Sequence, residues 1–290
     1  MNLGFQVRKI RKQRGIGLME ASKGILSPSL LSRFERGEAD IHTSQLIGVL
    51  NQLHTSLFEL VSEMDDQTGY DETFETQVMS LYEKNDKDSL ATITMKKLHA
   101  YSSSQHLQFL YEAATAANCY ADLTGRNLLQ KKEIETIEAN ISSIQYWGQR
   151  EIRFFGNVVL LISPALVGGV VTLLLDEMGR FGKESFITLT EAWNVVLNAQ
   201  YSLLLSGEIK RAEHLWEKAI KLPLQSGMLF VQTRRAFLGE LLKLEEGRDV
   251  SNNLARIWNF LELIGARQLE DNLKDAYTHL VTKTVSRSRK

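Results

Sequence analysis

The sequence predicts an all-α protein in which a bundle of short helices precedes a longer array of helical hairpins. Three observations support this fold class. The 290 residues include only three prolines, whereas proline-rich turns are typical of β folds. Apolar residues recur at helical spacing along most of the chain. Hydrophobic residues make up 43% of the sequence and charged residues 24%, a balance that supports a buried core.

Five short helices are predicted in the N-terminal segment. The first, LGFQVRKIRKQR, places Leu3, Val7 and Ile10 on one face. The third, PSLLSRFER, follows a tight turn, with Ser27 as its N-cap and Pro28 at its first position. A second and a third short helix joined by a tight turn are typical of helix-turn-helix domains, so we expect this segment to bind DNA.

The charge distribution favours a polyanionic partner for the same segment. Residues 1–64 contain eight lysines and arginines against six acidic residues, whereas residues 65–290 contain 26 against 29. All eight N-terminal cations fall within residues 1–36, beside only two acids. A basic segment on a faintly acidic body indicates that the N-terminal part alone meets a polyanion. We therefore place the boundary of a DNA-binding domain at residue 64.

The N-terminal segment resembles the helix-turn-helix of phage repressors, the XRE type, over roughly residues 3–62. The resemblance is carried by IRKQRG in the first helix, by LSPSLLSRFERG across the turn and the third helix, and by IHTSQLIGVLNQLHTSLFEL after it. It implies a structural ion pair between Arg11 and Glu35 that fixes the first helix to the third. One departure is Pro28, which stands where such repressors often carry a base-reading glutamine.

Six residues of this segment are candidates for contact with DNA. Ser27 and Ser29 lie at the start of the third helix, where free backbone N–H groups and the helix dipole attract phosphate. Because proline has no side-chain donor or acceptor, base readout is expected from Ser29, Arg33 and Ser32, or from DNA shape. An ordinary helix-start role is the alternative for the serines. The full set is Ser27, Ser29, Ser32, Arg33, Arg36 and Lys23.

Residues 65–290 are predicted to form consecutive helical hairpins. Five pairs of helices recur at a period of roughly 35–45 residues, the spacing of TPR-like repeats. The clearest unit is NAQYSLLLSGEIKRAEHLWEKAIKLP, in which Tyr201, Gly207 and Ala212 fall near the usual TPR positions. The prediction is therefore a TPR-like, right-handed solenoid. The concave groove of such a solenoid generally binds an extended peptide or a partner segment.

One apolar stretch, residues 152–179, could be mistaken for a membrane span. Arg153 and Asn157 lie near its start, and Pro164 divides it into halves shorter than the ~20 residues that a span requires. We therefore expect two buried helices, the second with Ser163 as its N-cap. No membrane partner is expected.

Polar side chains on otherwise apolar helices predict a ligand groove. They recur on one face of the first helix in successive hairpins, which should line the same surface. Asparagine amides can bond both the N–H and the C=O of an extended peptide, and arginine can hold a carboxylate. An apolar peptide with an acidic residue or a free C-terminus would fit; a core or interhelix role is the alternative. The candidates are Arg150, Arg153, Asn157, Asn194, Asn198, Tyr201, Gln232 and Arg235.

The sequence contains no pattern of an enzyme or a metal site. None of the six histidines has metal-ligand spacing, and the single cysteine, Cys119, cannot complete a zinc site. There is no P-loop, no GxGxxG and no credible nucleophile turn. We expect no cofactor, no metal and no catalysis. A lone thiol among small apolar residues is expected to be packed, and indicates a reducing, cytoplasmic environment.

The two segments together resemble the Rgg/GadR/MutR family, a branch of the peptide-pheromone receptors of low-GC Gram-positive bacteria. LSRFERG and YWGQREIRFFGN carry the resemblance best. It implies a cytoplasmic, homodimeric transcription factor that binds promoter DNA and a short imported signalling peptide in quorum sensing. The helices NNLARIWNFLELIGA and LEDNLKDAYTHLVTK are the expected dimer seam. Two alternatives remain: an interaction scaffold tethered to DNA by the helix-turn-helix, and a regulator that needs no ligand.

Overall fold

The computed structural model describes residues 3–65 and 74–288, and within these ranges all regular structure is α-helical. The chain divides into two compact units, Met1–Thr73 and Phe74–Lys290. The predicted boundary after residue 64 falls at the end of the fifth helix. The helices of the first unit are α1 (Leu3–Gln13), α2 (Leu18–Ser22), α3 (Pro28–Glu35), α4 (Thr43–Gln52) and α5 (Leu57–Asp65).

The second unit begins with α6, and its helices follow one another at short spacing. They are α6 (Phe74–Glu83), α7 (Lys87–Ser104), α8 (Leu107–Thr124), α9 (Lys131–Ser142), α10 (Gln149–Gly156), α11 (Pro164–Glu184), α12 (Phe186–Ser206), α13 (Ile209–Ala219), α14 (Leu229–Glu245), α15 (Ser251–Leu263) and α16 (Arg267–Ser288). The predictions of an all-α chain and of a helical-hairpin array are confirmed.

The first unit is a small bundle with one hydrophobic core. Val7 of α1, Leu31 of α3 and Val49 of α4 are fully buried in it, and Phe34 is 6% exposed. Gly4 lets α1 approach α3 closely, because a Cβ at this position would overlap the carbonyl oxygen of Phe34. The absence of a side chain at one position therefore sets the distance between α1 and α3.

Helix α3 begins and ends where its sequence predicts. The Oγ of Ser27 accepts a hydrogen bond from the backbone N–H of Leu30 at 3.2 Å, and Pro28 occupies the first helical position. Gly37 lies beyond the end of the helix with a φ of 75°, a left-handed conformation that glycine adopts without strain. Both ends of the helix are thus fixed by local chemistry.

The second unit is a stack of helical hairpins whose first helices form one layer. In chain order the hairpins are α6–α7, α8–α9, α10–α11, α12–α13 and α14–α15, followed by α16, and the most extensive contacts between consecutive helices join α7 to α8 and α11 to α12, across successive hairpins. Contacts join α6 to α8, α10 to α12, α12 to α14, and α14 to α16. Tyr111 of α8 and Phe154 of α10 stack with ring centroids 4.1 Å apart, which continues the layer. We call these even-numbered helices the inner layer.

One large core holds most of this unit together, and a smaller cluster joins α6, α7 and α8 through Val78, Leu90 and Ala116. The largest fully buried side chains of the large core include Phe155, Trp193 and Phe237, each of which contributes about 1.5–3 kcal/mol through burial of apolar surface. Gly156 gives α10 a close approach to α12, since a Cβ there would lie 2.6 Å from Val195 Cγ2. Dense packing therefore positions the inner layer.

The apolar stretch at residues 152–179 folds into two helices, as predicted. Helix α10 ends at Gly156, Ser163 holds the N-cap position of the next helix, and Pro164 is its first residue. Within the described residues, none of the helices combines the length and the apolar character needed to cross a lipid bilayer.

Candidate DNA-binding surface and ligand groove

An ion pair between Arg11 and Glu35 fixes α3 against α1. Arg11 Nε donates to Glu35 Oε1 at 2.6 Å, and Nη2 donates to Oε2 at 2.7 Å, a bidentate arrangement. A third donor, Nη1, bonds to the carbonyl oxygen of Ile16 at 2.9 Å. The hydrogen bond with Glu35 raises the pKa of Arg11. Both side chains are nearly buried, so the pair orients the helix and takes no part in its exposed face.

The exposed face of α3 carries Ser29 and Arg33. In the described part of the chain, the side chain of Ser29 has no hydrogen-bond partner, and Arg33 makes only a 3.5 Å contact with the carbonyl oxygen of Glu38. Lys23, also exposed, lies at the C-cap of α2. Ser27 is exposed but serves as the N-cap. These side chains offer donors to a phosphate or a base edge without having to leave a strong partner.

Arg36 and Ser32, by contrast, are engaged with their own chain. Arg36 Nη1 donates to Ser32 Oγ at 2.6 Å, and its Nε and Nη2 donate to the two carboxylate oxygens of Glu38 at 2.6 and 2.7 Å. The hydrogen bond with Glu38 raises the pKa of Arg36. A carboxylate thus occupies the guanidinium, and Arg36 would have to exchange it for a phosphate to contact DNA.

A cavity of about 490 Å³ lies in the second unit, and helices of the inner layer form most of its wall. We call it the groove. Apolar side chains make up much of its lining, and amide, hydroxyl and charged groups are spaced among them. The lining includes Glu75, Met79, Tyr82, Thr115, Asn118, Cys119, Asp122, Arg153, Asn157, Leu160, Asn198, Tyr201, Phe230, Arg234, Phe237, Leu269, Asn272 and Ala276.

The structure places four of the eight expected groove residues in this lining: Arg153, Asn157, Asn198 and Tyr201. Asn194 lies outside the lining but touches one of its members, because its Oδ1 accepts a hydrogen bond from Arg234 at 3.4 Å. The one-face spacing on α10 and α12 therefore identified the helices that meet at the groove.

The structure does not place Arg150, Gln232 and Arg235, which were expected in the same groove, in this lining. Arg150 is an exposed residue in the first turn of α10, outside the lining. Gln232 Nε2 points back to the carbonyl oxygen of Gln225 at 3.4 Å. Neither residue therefore extends the polar face towards the cavity.

Arg235 faces away from the groove for a reason of helical register. Its Nη1 donates to the carbonyl oxygen of Leu222 at 3.1 Å, and its guanidinium lies 5.6 Å from the ring centroid of Trp193. On α14 the groove-facing positions are Phe230, Arg234 and Phe237, a spacing of i, i+4 and i+7. Residue 235 is about 100° further round the helix.

Arg153 joins three helices at the groove and is charge-balanced. Its Nη2 donates to Glu191 Oε1 at 2.6 Å, and its Nη1 lies 3.5 Å from Glu75 Oε2. Gln149 Nε2 donates to the same oxygen of Glu191 at 3.2 Å. The hydrogen bond with Glu191 raises the pKa of Arg153. Two carboxylates therefore already occupy this guanidinium.

Arg234 is one of the groove residues that the sequence did not predict; Tyr82, Asn118 and Asp122 are others. Arg234 Nη2 donates to Asn198 Oδ1 at 2.7 Å, and its guanidinium lies 5.5 Å from the ring centroid of Phe230. Desolvation lowers the pKa of Arg234 to about 10. The signal that could have found it is the spacing of Phe230, Arg234 and Phe237, which matches the apolar face of α14 better than Arg235 does.

Neutral hydroxyl and thiol groups line another part of the groove. The Tyr82 hydroxyl donates to Asp122 Oδ2, and the Tyr201 hydroxyl donates to the carbonyl oxygen of Ala276 at 3.1 Å. Burial raises the pKa of both tyrosines and raises that of the Cys119 thiol to about 12. Cys119 is thus a protonated, unreactive wall residue at neutral pH.

The residues that the structure describes form no metal-binding site. Residues 3–65 and 74–288 contain no cluster of three or more His, Cys, Asp or Glu side chains that could hold an ion. The arrangement can hold an extended organic ligand through hydrogen bonds, apolar contact and a guanidinium.

Comparison with known proteins identifies relatives of both units. Residues 74–275 match the family model for the C-terminal domain of the HTH-type transcriptional regulator Rgg. The crystal structure of the Streptococcus dysgalactiae SHP pheromone receptor Rgg2 is similar, with a TM-score of 0.73 and 20% identity over 96% of this chain and 99% of that chain. At these levels of identity, such likenesses establish the fold.

Two further structures share this architecture. A Listeria monocytogenes EGD-e protein assigned as a transcriptional regulator has a TM-score of 0.77 and 17% identity, over 98% of both chains. PrgX in its complex with cCF10 has a TM-score of 0.68 and 13% identity, over 97% of this chain and 93% of that chain. The likeness extends over both units.

Proposed function

Because the chain belongs to the Rgg family of helix-turn-helix transcriptional regulators, we propose that it regulates transcription in response to a short peptide. The first unit binds promoter DNA through α3, and the groove of the second unit binds the peptide. The observation that carries the proposal is the groove itself, in which Asn157, Asn198 and Arg234 stand among apolar side chains. Catalysis is not part of the role of this family.

The exposed face of α3 supports the DNA-binding half of the proposal. Ser29 and Arg33 present a hydroxyl and a guanidinium, and the fixed position of α3 on α1 holds both at one surface. Arginine is the commonest reader of guanine in the major groove. Pro28 contributes no donor, so few bases are read directly and DNA shape supplies part of the specificity.

Two copies of the chain are needed to read two half-sites, as in other helix-turn-helix regulators. We place the dimer seam at α15 and α16. The end of α15 leaves Leu263 and Ile264 exposed, at 84% and 48%, and apolar side chains of this size are suited to burial between subunits. The homodimer acts in the cytoplasm, where promoter DNA is accessible.

The groove supports the peptide-binding half. Its volume of about 490 Å³ is in the range of ligand pockets, enough for a short extended segment. The Asn157 and Asn198 amides can pair with a peptide backbone, which alternates donors and acceptors. The structures of similar fold include a receptor for an SHP pheromone and a complex of a bacterial peptide pheromone with its receptor, which favours a peptide over other ligands.

In vitro selection of double-stranded DNA from a random pool tests the DNA-binding half. The full-length chain should enrich a site with two related half-sites. Arg33→Ala should weaken binding to that site by about 10-fold or more, because one charge-assisted contact to a base or phosphate is lost. Arg126→Ala, which removes an exposed arginine from the second unit, is the matched control and should leave binding unchanged.

The same selection separates the proposal from the scaffold alternative. A protein whose helix-turn-helix acts only as a tether would retain DNA without enriching any sequence, and Arg33→Ala would then change only the salt-sensitive affinity. Absence of an enriched site would contradict the proposed sequence-specific regulation.

A further inference from the structure

The two arginines in the groove differ in how their charge is balanced. Arg153 pairs with Glu191 at 2.6 Å and approaches Glu75 at 3.5 Å, so two carboxylates share one guanidinium. Among the described residues, Arg234 forms no ion pair with any carboxylate. A ligand carboxylate would have to displace an existing partner at Arg153, but not at Arg234.

The partners of Arg234 are neutral, and they leave donors unused. A guanidinium has five N–H donors, and here Asn198 accepts one at 2.7 Å and Asn194 accepts a longer one at 3.4 Å. Amide oxygens satisfy hydrogen bonds but do not neutralise a charge. With a pKa of about 10, the side chain remains charged at neutral pH in surroundings that disfavour the charge.

The Asp122 carboxylate of the groove attracts the Arg234 guanidinium and so opposes the lowering of its pKa by burial, but it does not pair with it. Asp122 accepts a hydrogen bond from the Tyr82 hydroxyl and forms no ion pair with Arg234 in the described structure. The Tyr201 hydroxyl donates to the Ala276 carbonyl oxygen, so it is also directed elsewhere. Arg234 itself is partly accessible, and it opens into the groove.

We propose that Arg234 is the receptor for a carboxylate of the ligand. Arginine binds carboxylate through two parallel N–H···O bonds, and this geometry is strongest where water is excluded. The inference rests on the proposed function and deepens it, because it restricts the ligand to a mainly apolar peptide carrying one anionic group. That group is either the C-terminal carboxylate or an aspartate or glutamate side chain.

The two asparagines of α12 take a different role from the one that the sequence predicted. Their oxygens hold the guanidinium, so Asn194 and Asn198 are positioning residues for Arg234. Asn198 lies in the groove lining, and its amide nitrogen can in addition donate to a ligand carbonyl. Phe230 stacks on the guanidinium and limits its movement.

Affinity selection with detection by mass spectrometry tests the proposal on the full-length protein. Two synthetic pools of N-acetylated octapeptides are used, built from Leu, Ile, Val, Phe, Gly, Asp and Glu. One pool ends in a free carboxylate and the other in a carboxamide. Wild-type protein should retain peptides that carry a carboxylate, and enrichment of these over carboxylate-free peptides should be about 10- to 100-fold.

The two pools distinguish the sources of the carboxylate. If the C-terminus binds Arg234, peptides of the free-acid pool are retained and their carboxamide counterparts are lost. If a side chain binds, retained carboxamides all contain Asp or Glu. Equal retention of carboxamides that lack both residues would overturn the assignment of Arg234 and leave the proposed function intact. Retention of no peptide from either pool would overturn both.

Variants of Arg234 and of the adjacent Arg235 provide a second, independent test of the proposal. Arg234→Gln should abolish the preference for carboxylate, while Arg235→Gln, on the same helix but outside the groove, should retain it. Arg234→Lys keeps the charge without the planar fork and should show an intermediate preference. Circular dichroism establishes that each variant folds. A carboxylate preference that persists in folded Arg234→Gln or Arg234→Lys at the wild-type level contradicts the proposal.

Discussion

At the scale of single residues, charge alone does not decide which arginine meets a ligand. Arg36 is exposed, but Glu38 holds it in a bidentate pair and Ser32 accepts a third bond. Arg153 lines the groove, but carboxylates of its own chain occupy it. Arg33 and Arg234 lack such partners in the described structure, and we assign the ligand-binding roles to them for this reason.

Replacement of Glu38 by glutamine should strengthen binding to DNA. The change removes a negative charge beside α3 and leaves Arg36 without its carboxylate partner. The slope of log affinity against log salt concentration should become steeper by about one, because one more phosphate is neutralised. Gel-shift titrations at several salt concentrations measure this slope.

The control for that titration is Glu217→Gln, which makes the same change of charge at an exposed position of α13. Its slope should match that of the wild type. An unchanged slope in Glu38→Gln would mean that Arg36 does not meet phosphate.

At the scale of helices, the sequence predicted the order and pairing of the helices better than it predicted which face of each helix lies towards the groove. Helical periodicity and the position of Pro164 were enough to predict the hairpins and the split of the apolar stretch. The Arg11–Glu35 pair is present with a geometry that the family pattern implies. These features depend on local chemistry or on short-range patterns, which a single sequence contains.

Register within α14 could not be predicted in the same way. Arg234 and Arg235 are adjacent and have apolar residues on both sides. Which of them faces the groove depends on how the end of α13 packs, since Arg235 bonds to the carbonyl oxygen of Leu222. The sequence therefore predicted the helix that contributes to the site. The choice between Arg234 and Arg235 could be made only from the tertiary contacts.

Close packing of α1 on α3 provides a test at this scale. Gly4→Ala should lower the free energy of unfolding of the first unit by about 1–3 kcal/mol, because the added Cβ overlaps the backbone at Phe34 and the helices must separate. Hydrogen exchange of the full-length chain measures the effect, as faster exchange of α1 and α3 amides. DNA affinity should fall as α3 loses its fixed position.

Gly17→Ala is the matched control, because a Cβ at Gly17 meets no atom within 4 Å. Amide hydrogen exchange in α1 and α3 should then remain at the wild-type rate. Equal exchange in Gly4→Ala and Gly17→Ala would show that the close approach does not support α3.

At the scale of the whole molecule, we propose that separate units of one chain recognise DNA and peptide. A ligand in the groove can change transcription only if it has different affinities for two states of the protein. The groove is built by helices from all the hairpins, so the arrangement of the hairpins determines its shape. A peptide that favours one arrangement therefore biases the second unit as a whole.

Transcription from a promoter that carries the selected DNA site tests the central claim most directly. It is measured with purified RNA polymerase and the full-length protein, with and without a peptide retained in the affinity selection. We predict that saturating peptide changes transcript yield with wild-type protein. The change should disappear with Arg33→Ala and require a higher peptide concentration with Arg234→Gln. Equal transcript yield with and without saturating peptide would contradict the account.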